Sequence, residues 1–228
     1  MGWSDESASG RARNHRRGRV TLDARGVGAL RGRRRTGYAS ALMFVIHRSR
    51  TLISMSELRA GIPLADWSDV AVSELPTGTV TLLLADVEGS TRLWETQPDE
   101  MAAAIARLDE TVADALIAHA GVRPVEQGEG DSFVIAFGCA SDAVACAVDL
   151  QRAPLAPIRL RIGIHTGEVR MRDAGNYIGP TINRTARLRD LGHGGQTLLS
   201  GVTASLTEDQ LPEGASLTDL GTHVMRDL

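Results

Sequence analysis

Apolar strand patterns and amphipathic helix patterns alternate from residue 77 onward, and their order limits the folds that this chain can adopt. Thr79–Ala85 is a continuous apolar run of the kind found in buried strands. The helix pattern that follows begins at Pro98, repeats apolar residues every three to four positions and ends at Gly121. Because a buried strand and an amphipathic helix must cover each other's apolar faces, this alternation indicates a sheet with helices packed on it.

The remaining patterns complete a β-α-β-β-α-β order. Val122–Val125 and Ser132–Phe137 predict a hairpin, and Ser141 is expected to cap a second helix. Ile158–His165 predicts a half-buried strand with Glu168–Arg172 as its partner. Further predicted elements are a helix over Thr181–Leu191, a strand over Gln196–Ser200 and a short helix over Val202–Leu206. The fold class expected is α+β, a ferredoxin-like βαββαβ core with an antiparallel sheet and helices packed on one face.

Charge divides the chain into two parts. Residues 1–50 contain 12 arginines and three acidic residues, whereas residues 51–228 contain 13 arginines and 25 acidic residues. Gly10–Arg35 shows no sustained strand or helix period, so we predict a disordered Arg-rich extension and linker over residues 1–75. The folded domain is expected over 76–228. Two alternatives remain for the extension: a tether for nucleic acid or acidic lipid, or a natural start at Met43 or Met55.

Composition and spacing exclude several protein classes. The two cysteines are expected to be free thiols, and the six histidines show no metal-ligand spacing. No apolar stretch approaches the roughly 20 residues of a membrane span, and no secretory pattern opens the chain. The expected location is therefore the cytoplasm, without a membrane partner.

Two aspartates carry the strongest chemical signal. Asp86 ends the first apolar run, and Asp131 lies at a glycine-rich turn before the apolar run Phe133–Phe137. Carboxylates at neighbouring strand ends can hold a divalent cation, and Mg²⁺ is commonly held by one or two carboxylates plus substrate phosphates. The pair therefore predicts chemistry on a nucleoside triphosphate.

Three segments in order resemble the motifs of the class III nucleotidyl cyclases, whose catalytic domain makes cyclic AMP or cyclic GMP. Ala85–Thr91 is similar to the first metal motif of that family, and Gln127–Asp131 is similar to the second. Asn176–Arg187 is similar to the third, where the family typically has Asp, six residues, Asn, three residues and Arg. The resemblance covers roughly residues 77–228 and implies the cyclase fold and a cyclase catalytic domain.

The resemblance implies roles for the residues of the first two motifs. Asp86, the backbone carbonyl of Val87 and Asp131 would hold two divalent cations, Mg²⁺ or Mn²⁺, which clamp the attacking and leaving oxygens of an in-line displacement. The attacker would be the ribose 3′-hydroxyl and the target the α-phosphorus of ATP. Phosphate oxygens would meet the backbone N–H groups of a small-residue turn formed by Gly89, Ser90 and Thr91.

The third motif supplies the other half of the expected site. Asn183 and Arg187 lie four residues apart and so share one helix face. By the resemblance they orient the ribose and stabilise the charged pentacoordinate phosphorus, a role that suits the planar guanidinium. In the family these residues face the metal aspartates of another chain. A homodimer with two shared active sites is therefore implied.

Purine recognition departs from the family pattern. Gln127 and Asn176 stand where the family typically has Lys and Asp as adenine readers. An amide can present a donor or an acceptor, so we expect ATP to be preferred with a side activity on GTP. The resemblance also suggests Arg226 as a triphosphate ligand, and the catalytic domain is expected to be truncated at its C-terminal end.

Three functions remain open at this point. The first is an active adenylate cyclase, and the second is a weakly active or inactive nucleotide-binding regulatory domain of cyclase type. The third is a nucleic-acid-associated regulator that works through the Arg-rich tail.

Overall fold

A six-stranded mixed sheet forms the centre of the protein. The computed structural model describes residues 38–48, 74–125 and 130–226, without the side chains of 38–41, 47, 48, 225 and 226. The strand order is β3-β2-β4-β7-β1-β8, and neighbouring strands are antiparallel except for the parallel pair β4 and β7. These strands are β1 Tyr38–Arg48, β2 Thr79–Val87, β3 Ser132–Phe137, β4 Leu160–Glu168, β7 Thr197–Ser200 and β8 Ala215–Arg226.

Among the residues that the structure describes, five α-helices and a small second sheet surround the central sheet. The helices are α1 Ser90–Thr96, α2 Pro98–Ala118, α3 Ala140–Arg152, α4 Pro180–Leu191 and α5 Gly201–Thr207, followed by a 3-10 turn over Glu208–Gln210. The second sheet pairs β5 Arg170–Asp173 with β6 Asn176–Ile178. The α+β class and the largely antiparallel sheet are as expected from the sequence.

Helices α2 and α3 cover one face of the sheet. The apolar stripe of α2, including Leu108 and Val112, packs with buried residues of the strands such as Leu83, Ile135 and Ile162. Burial of this kind stabilises a fold by about 25 cal/mol per Å² of apolar surface. This cluster is the larger core of the protein and fixes the β2, β3 and β4 strands that carry the candidate site.

Helix α4 lies on the opposite face of the sheet, whereas the sequence predicted helices on one face only. Successive strand residues point to opposite faces, so Leu82 and Leu84 face away from the main core and pack beside Ile182 and Ala186 of α4. The helix lies very close to β4 at Gly163, where a Cβ atom would lie 2.4 Å from the Arg189 amide nitrogen. Only glycine allows this contact, which places the end of α4 directly over β4.

Local pairing differs from the sequence expectation in two places. The segment predicted over Glu168–Arg172 as the partner of β4 instead forms β5, which pairs with β6, because β4 already has β2 and β7 on its two edges. The strand predicted over Val122–Val125 is reduced to a single bridge between Val122 and Ala136.

Strand β1 lies within the range predicted as a disordered extension. Tyr38–Arg48 pairs with both β7 and β8, and Met43 and Val45 are buried against Leu188 and Leu198. The alternating apolar residues of this stretch therefore form the buried face of a strand. The arginine-rich stretch upstream made this strand hard to recognise in the sequence. The Arg-rich stretch over residues 1–37 and the segment over 49–73 lie outside the described residues.

Candidate active site

Asp86 and Asp131 lie at neighbouring strand ends. Asp86 is opposite Ser132 in the β2–β3 ladder, and the Val87 N–H donates a hydrogen bond to the Asp131 carbonyl at 3.2 Å. Antiparallel pairing therefore brings together two backbone positions that are 45 residues apart in the sequence. Gly130 and Asp131 lie in a turn before β3, and Gly130 has a φ of 61°.

The carboxylate of Asp86 is held by two arginines. Arg161 donates from Nε to Oδ1 at 2.5 Å and from Nη2 to Oδ2 at 2.7 Å, so its guanidinium grips both oxygens. The Nε atom of Arg189 lies 3.7 Å from Oδ2. Because the Asp86 side chain is only 13% exposed, these charges meet with little screening by water. The hydrogen bond to Asp86 is the largest cause of a raised pKa of Arg161.

Asp131 borders a cavity of about 480 Å³ that is also lined by residues of α1 and α2. Its described lining includes Ser90 and Thr91 of α1, together with Trp94 and Ile105. One predicted metal ligand and two predicted phosphate-binding residues therefore share this cavity. Asp86, in contrast, turns its carboxylate toward Arg161 and α4.

The donor atoms present fit a hard divalent cation. Asp86 and Asp131 offer carboxylate oxygens and Val87 offers a main-chain carbonyl, and oxygen ligands are those that Mg²⁺ and Mn²⁺ prefer. Within the described ranges, no group of three or more His, Cys, Asp or Glu side chains is arranged to hold a metal ion. A cation held here would therefore need oxygen atoms from water or from substrate phosphates to complete its coordination.

The predicted phosphate-binding turn links β2 to α1. Gly89 adopts the left-handed conformation, with φ of 66° and ψ of 28°, and its carbonyl accepts the first helical hydrogen bond from Leu93. Ser90 is half-buried and Thr91 is exposed. The turn therefore directs the backbone from the metal-motif strand into the cavity wall beside Asp131.

Asn183 and Arg187 lie on the outer side of α4. Both residues are exposed, whereas Thr181, Thr185 and Leu188 of the same helix are buried against the sheet. The inner side of the helix thus anchors it on β4, and the outer side exposes the two predicted catalytic residues at the surface. This placement separates them from the Asp131 cavity within one chain.

The predicted purine-binding residues are only partly described. Asn176 is buried in β6, and its Nδ2 donates to Asp173 Oδ1 at 2.8 Å. The neighbouring Tyr177 hydroxyl donates to the Pro76 carbonyl, which ties the small sheet to the start of β2. Gln127 lies outside the described residues. Arg226 ends β8 opposite Tyr38, and its side chain is likewise outside the description.

Arg161 and Arg189 were missed as site residues by sequence reasoning. The half-buried strand predicted over Ile158–His165 puts Arg161 on its solvent side, and Arg189 falls in the last turn of a predicted helix, where an arginine is ordinarily solvated. Instead, their side chains are 31% and 21% exposed and converge on Asp86. A charged residue between Leu160 and Ile162 in an apolar strand was the available signal, since such a residue needs a partner when the opposite face is covered.

Comparison with known proteins finds a family that matches most of this chain. The family described as adenylate and guanylate cyclase catalytic domain matches residues 72–226. An uncharacterised protein of Mycobacterium tuberculosis is 65% identical over 158 residues, which is 69% of this chain and 55% of that protein. The chain thus spans about half the length of that curated relative.

Solved structures share the fold at lower sequence identity. A Trypanosoma brucei adenylate cyclase in its monomeric state has a TM-score of 0.56 and 24% identity, over 68% of this chain and 92% of that chain. The guanylate cyclase domain of a Catenaria anguillulae protein, in complex with GTP, has a TM-score of 0.52 and 18% identity, over 66% and 97% respectively. None of the helices that the structure describes combines the length and hydropathy needed to cross a bilayer.

Proposed function

Because this chain belongs to the family of adenylate and guanylate cyclase catalytic domains, we propose that it is a class III adenylate cyclase. It converts ATP to 3′,5′-cyclic AMP and pyrophosphate, with a side activity on GTP. The observation that carries the proposal is the position of Asp86 and Asp131 at neighbouring strand ends, where Asp131 borders a cavity that Ser90 and Thr91 also line. Family membership supports a nucleotidyl cyclase activity in general, and the choice of ATP belongs to the proposal.

The reaction forms one phosphorus–oxygen bond and breaks another. The ribose 3′-oxygen attacks the α-phosphorus and loses its proton to solvent, and the bond from the α-phosphorus to the pyrophosphate oxygen breaks. Two divalent cations held by Asp86, Asp131 and the Val87 carbonyl would lower the pKa of the 3′-hydroxyl and neutralise the leaving pyrophosphate. The amides at Gly89, Ser90 and Thr91 hold phosphate oxygens at the rim of the cavity.

Asn183 and Arg187 act from a second copy of the chain. Asn183 orients the ribose, and Arg187 stabilises the negative charge of the pentacoordinate phosphorus through its planar guanidinium. Their exposed position on α4 supports this division, since the same helix is anchored by its other side. A twofold arrangement then forms two equivalent sites, each with Asp86 and Asp131 from one chain and Asn183 and Arg187 from its partner.

Purine choice depends on Gln127 and Asn176. In the structure Asn176 donates to Asp173, so a flipped amide would place its oxygen against that carboxylate. The hydrogen bond therefore favours one orientation of Asn176. A relaxed choice between ATP and GTP would come mainly from Gln127, and weak discrimination is expected because an amide can serve as donor or acceptor.

Turnover of the purified full chain tests the proposal. The protein is incubated with ATP or GTP in parallel in the presence of Mn²⁺, and cyclic AMP and cyclic GMP are quantified by chromatography. We expect cyclic AMP as the main product, and loss of both products in Asp86→Asn and in Arg187→Ala. Discrimination above about a hundredfold would contradict the relaxed site, and absence of both products would contradict the cyclase assignment.

A second candidate function is a nucleotide-binding regulatory domain with weak or no turnover. The ion pair between Arg161 and Asp86 favours it, because this pair engages a predicted metal ligand within the chain. Metal-dependent binding of ATP without product formation would favour this reading over the first.

A further inference from the structure

We infer that Arg189 is a positioning residue that couples the cation position at Asp86 to helix α4, in competition with the cation for the same carboxylate. The inference rests on the proposed function, because it requires Asp86 to be a metal ligand. It goes further by assigning a role to Arg189 and by linking the two halves of the site within one chain.

The ion pair is built into the central sheet. Asp86 lies directly opposite Arg161 in the β2–β4 ladder, and the side chains of both point to the α4 face. Directly opposed residues in an antiparallel pair have side chains that touch, so Arg161 needs no movement to reach Asp86. The carboxylate is therefore oriented toward α4 by a neighbour on the adjacent strand.

Helix α4 brings the second arginine to the same carboxylate. The helix packs on β4 at Gly163, where a Cβ atom would lie 2.4 Å from the Arg189 amide nitrogen and 2.7 Å from the Thr185 carbonyl oxygen. This close approach places the Arg189 guanidinium 3.7 Å from Asp86, where Asp190 also binds it at 2.8 Å. Any shift in the final turn of α4 changes the distance between Arg189 and Asp86.

A cation and the two guanidinium groups compete for the negative charge of the Asp86 carboxylate. Arg161 already uses both oxygens of Asp86, and Arg189 adds a second positive charge at Oδ2. A divalent ion at these oxygens would repel both arginines at short range, in a region where Asp86 is mostly shielded from water. Binding of the ion therefore weakens the contact between Arg189 and Asp86 and releases the last turn of α4.

The released helix is the one that presents Asn183 and Arg187. In the proposed dimer these two residues serve the partner's site, whereas Asp86 serves the site of its own chain. A cation at one site thereby acts on the helix that completes the other. By reciprocity, any ligand that moves α4 changes the affinity of Asp86 for the cation.

Mn²⁺ binding to the full chain, measured by electron paramagnetic resonance, tests the competition. Arg189→Gln is expected to bind Mn²⁺ about two- to fivefold more tightly than the unmodified chain, the range expected for a partly exposed ion pair. Arg189→Lys keeps the charge and should restore the original affinity. Arg184→Gln, an exposed residue of the same helix, is the matched control and should leave the affinity unchanged.

Two results overturn the inference in distinguishable ways. If Mn²⁺ binding depends on Asp86 but Arg189→Gln leaves it unchanged, the role of Arg189 is wrong while the proposed metal site stands. If Asp86→Asn binds Mn²⁺ as well as the unmodified chain does, both the metal assignment and the inference fail. Thermal unfolding of each variant verifies that affinities are compared among folded proteins.

Hydrogen exchange measures the coupling to α4 directly. Addition of Mn²⁺ should increase amide exchange in peptides that cover residues 186–191 of the unmodified chain. In Arg189→Gln the same peptides should exchange faster from the outset and respond little to Mn²⁺. No response of these peptides to Mn²⁺ in the unmodified chain would overturn the coupling.

Discussion

Arg161 lies directly across the β2–β4 ladder from Asp86, and its guanidinium binds both oxygens of that carboxylate. The pair joins a predicted metal ligand to a residue 75 positions away in the sequence. It neutralises Asp86 within the fold and orients the carboxylate toward α4. Stability and the proposed metal binding would therefore be linked at a single carboxylate.

Replacement of Arg161 by Gln should destabilise the protein and make its stability respond to metal. Loss of a charge-assisted hydrogen bond to a mostly buried carboxylate costs about 1–3 kcal/mol. Urea unfolding followed by circular dichroism measures this loss, and addition of Mn²⁺ should recover part of it because a bound cation stabilises the folded state. Arg159→Gln, at an exposed neighbouring position, is the control, and an equal loss in that variant would contradict the role of the pair.

Complementation between inactive variants should reveal the shared site. Asp86→Ala and Arg187→Ala are each expected to be inactive, because every site of either homodimer lacks one residue. A mixture of equal amounts should recover about a quarter of the original activity, since half of the dimers are mixed and each has one intact site. Cyclic AMP formation measures the recovery. Failure to recover after subunit exchange would contradict a site built from two chains.

Gly163→Ala should separate α4 from β4. The new Cβ atom would meet the backbone of α4 at 2.4 Å, and backbone atoms cannot move aside as a side chain would. We expect a loss of about 1–3 kcal/mol in the free energy of unfolding, as for other overpacked cores. Gly138→Ala provides a matched control, because a Cβ atom there has nothing within 4 Å. Equal stability of the two variants in chemical denaturation would show that the contact at Gly163 is relieved without cost.

Acidification should destabilise the fold through His165. Burial, followed by the charge of Arg184, lowers the pKa of His165 from 6.5 to about 4. Its Nδ1 pairs with the Ser200 hydroxyl at 2.8 Å, while Nε2 is buried without a partner among the described residues. The unfolded chain therefore binds an additional proton between about pH 6.5 and 4, and the contribution of the neutral histidine to stability falls as the pH falls through that window.

The size of that effect can be isolated by substitution. The shift in the pKa of His165 corresponds to a loss of about 3 kcal/mol in the free energy of unfolding as the pH falls from 6.5 to 4. His165→Asn keeps an amide that can pair with Ser200 and removes the titrating ring. The difference between the unfolding free energies of the unmodified chain and of His165→Asn should shrink as the pH is lowered from 6.5 to 4. A difference that stays constant across this range would contradict the assignment to His165.

Much of the architecture follows from local patterns. The strands β2, β3 and β4 and the helices α2, α3 and α4 were predicted because their apolar residues repeat with periods that depend only on neighbours along the chain. Strand β1 was missed because its apolar residues lie next to an arginine-rich stretch, and its burial depends on β7 and β8, which come more than 140 residues later. The pairing of β5 with β6 was missed for a related reason, since several partners satisfy the same alternation.

The candidate site likewise combines features that the sequence shows with features that only the folded chain shows. The order and spacing of Asp86, Asp131, Asn183 and Arg187 can be read from the chain, and the same motifs led to the family before any geometry was known. The contact of Asn176 with Asp173 and the cavity shared by Asp131 and Ser90 required the three-dimensional arrangement. The roles of the four motif residues remain predictions, to be tested by the variants described above.

The sequence by itself determined the strands and helices of the main core, the family and the set of residues that a cyclase site would use. Only the tertiary structure decided that Arg161 and Arg189 meet at Asp86, and that Asn183 and Arg187 face outward on α4. The physical reason is the range of the interactions. Periodicity and turn preference act between near neighbours, whereas an ion pair across a sheet depends on strand register and helix docking, which the packed core sets for the chain as a whole.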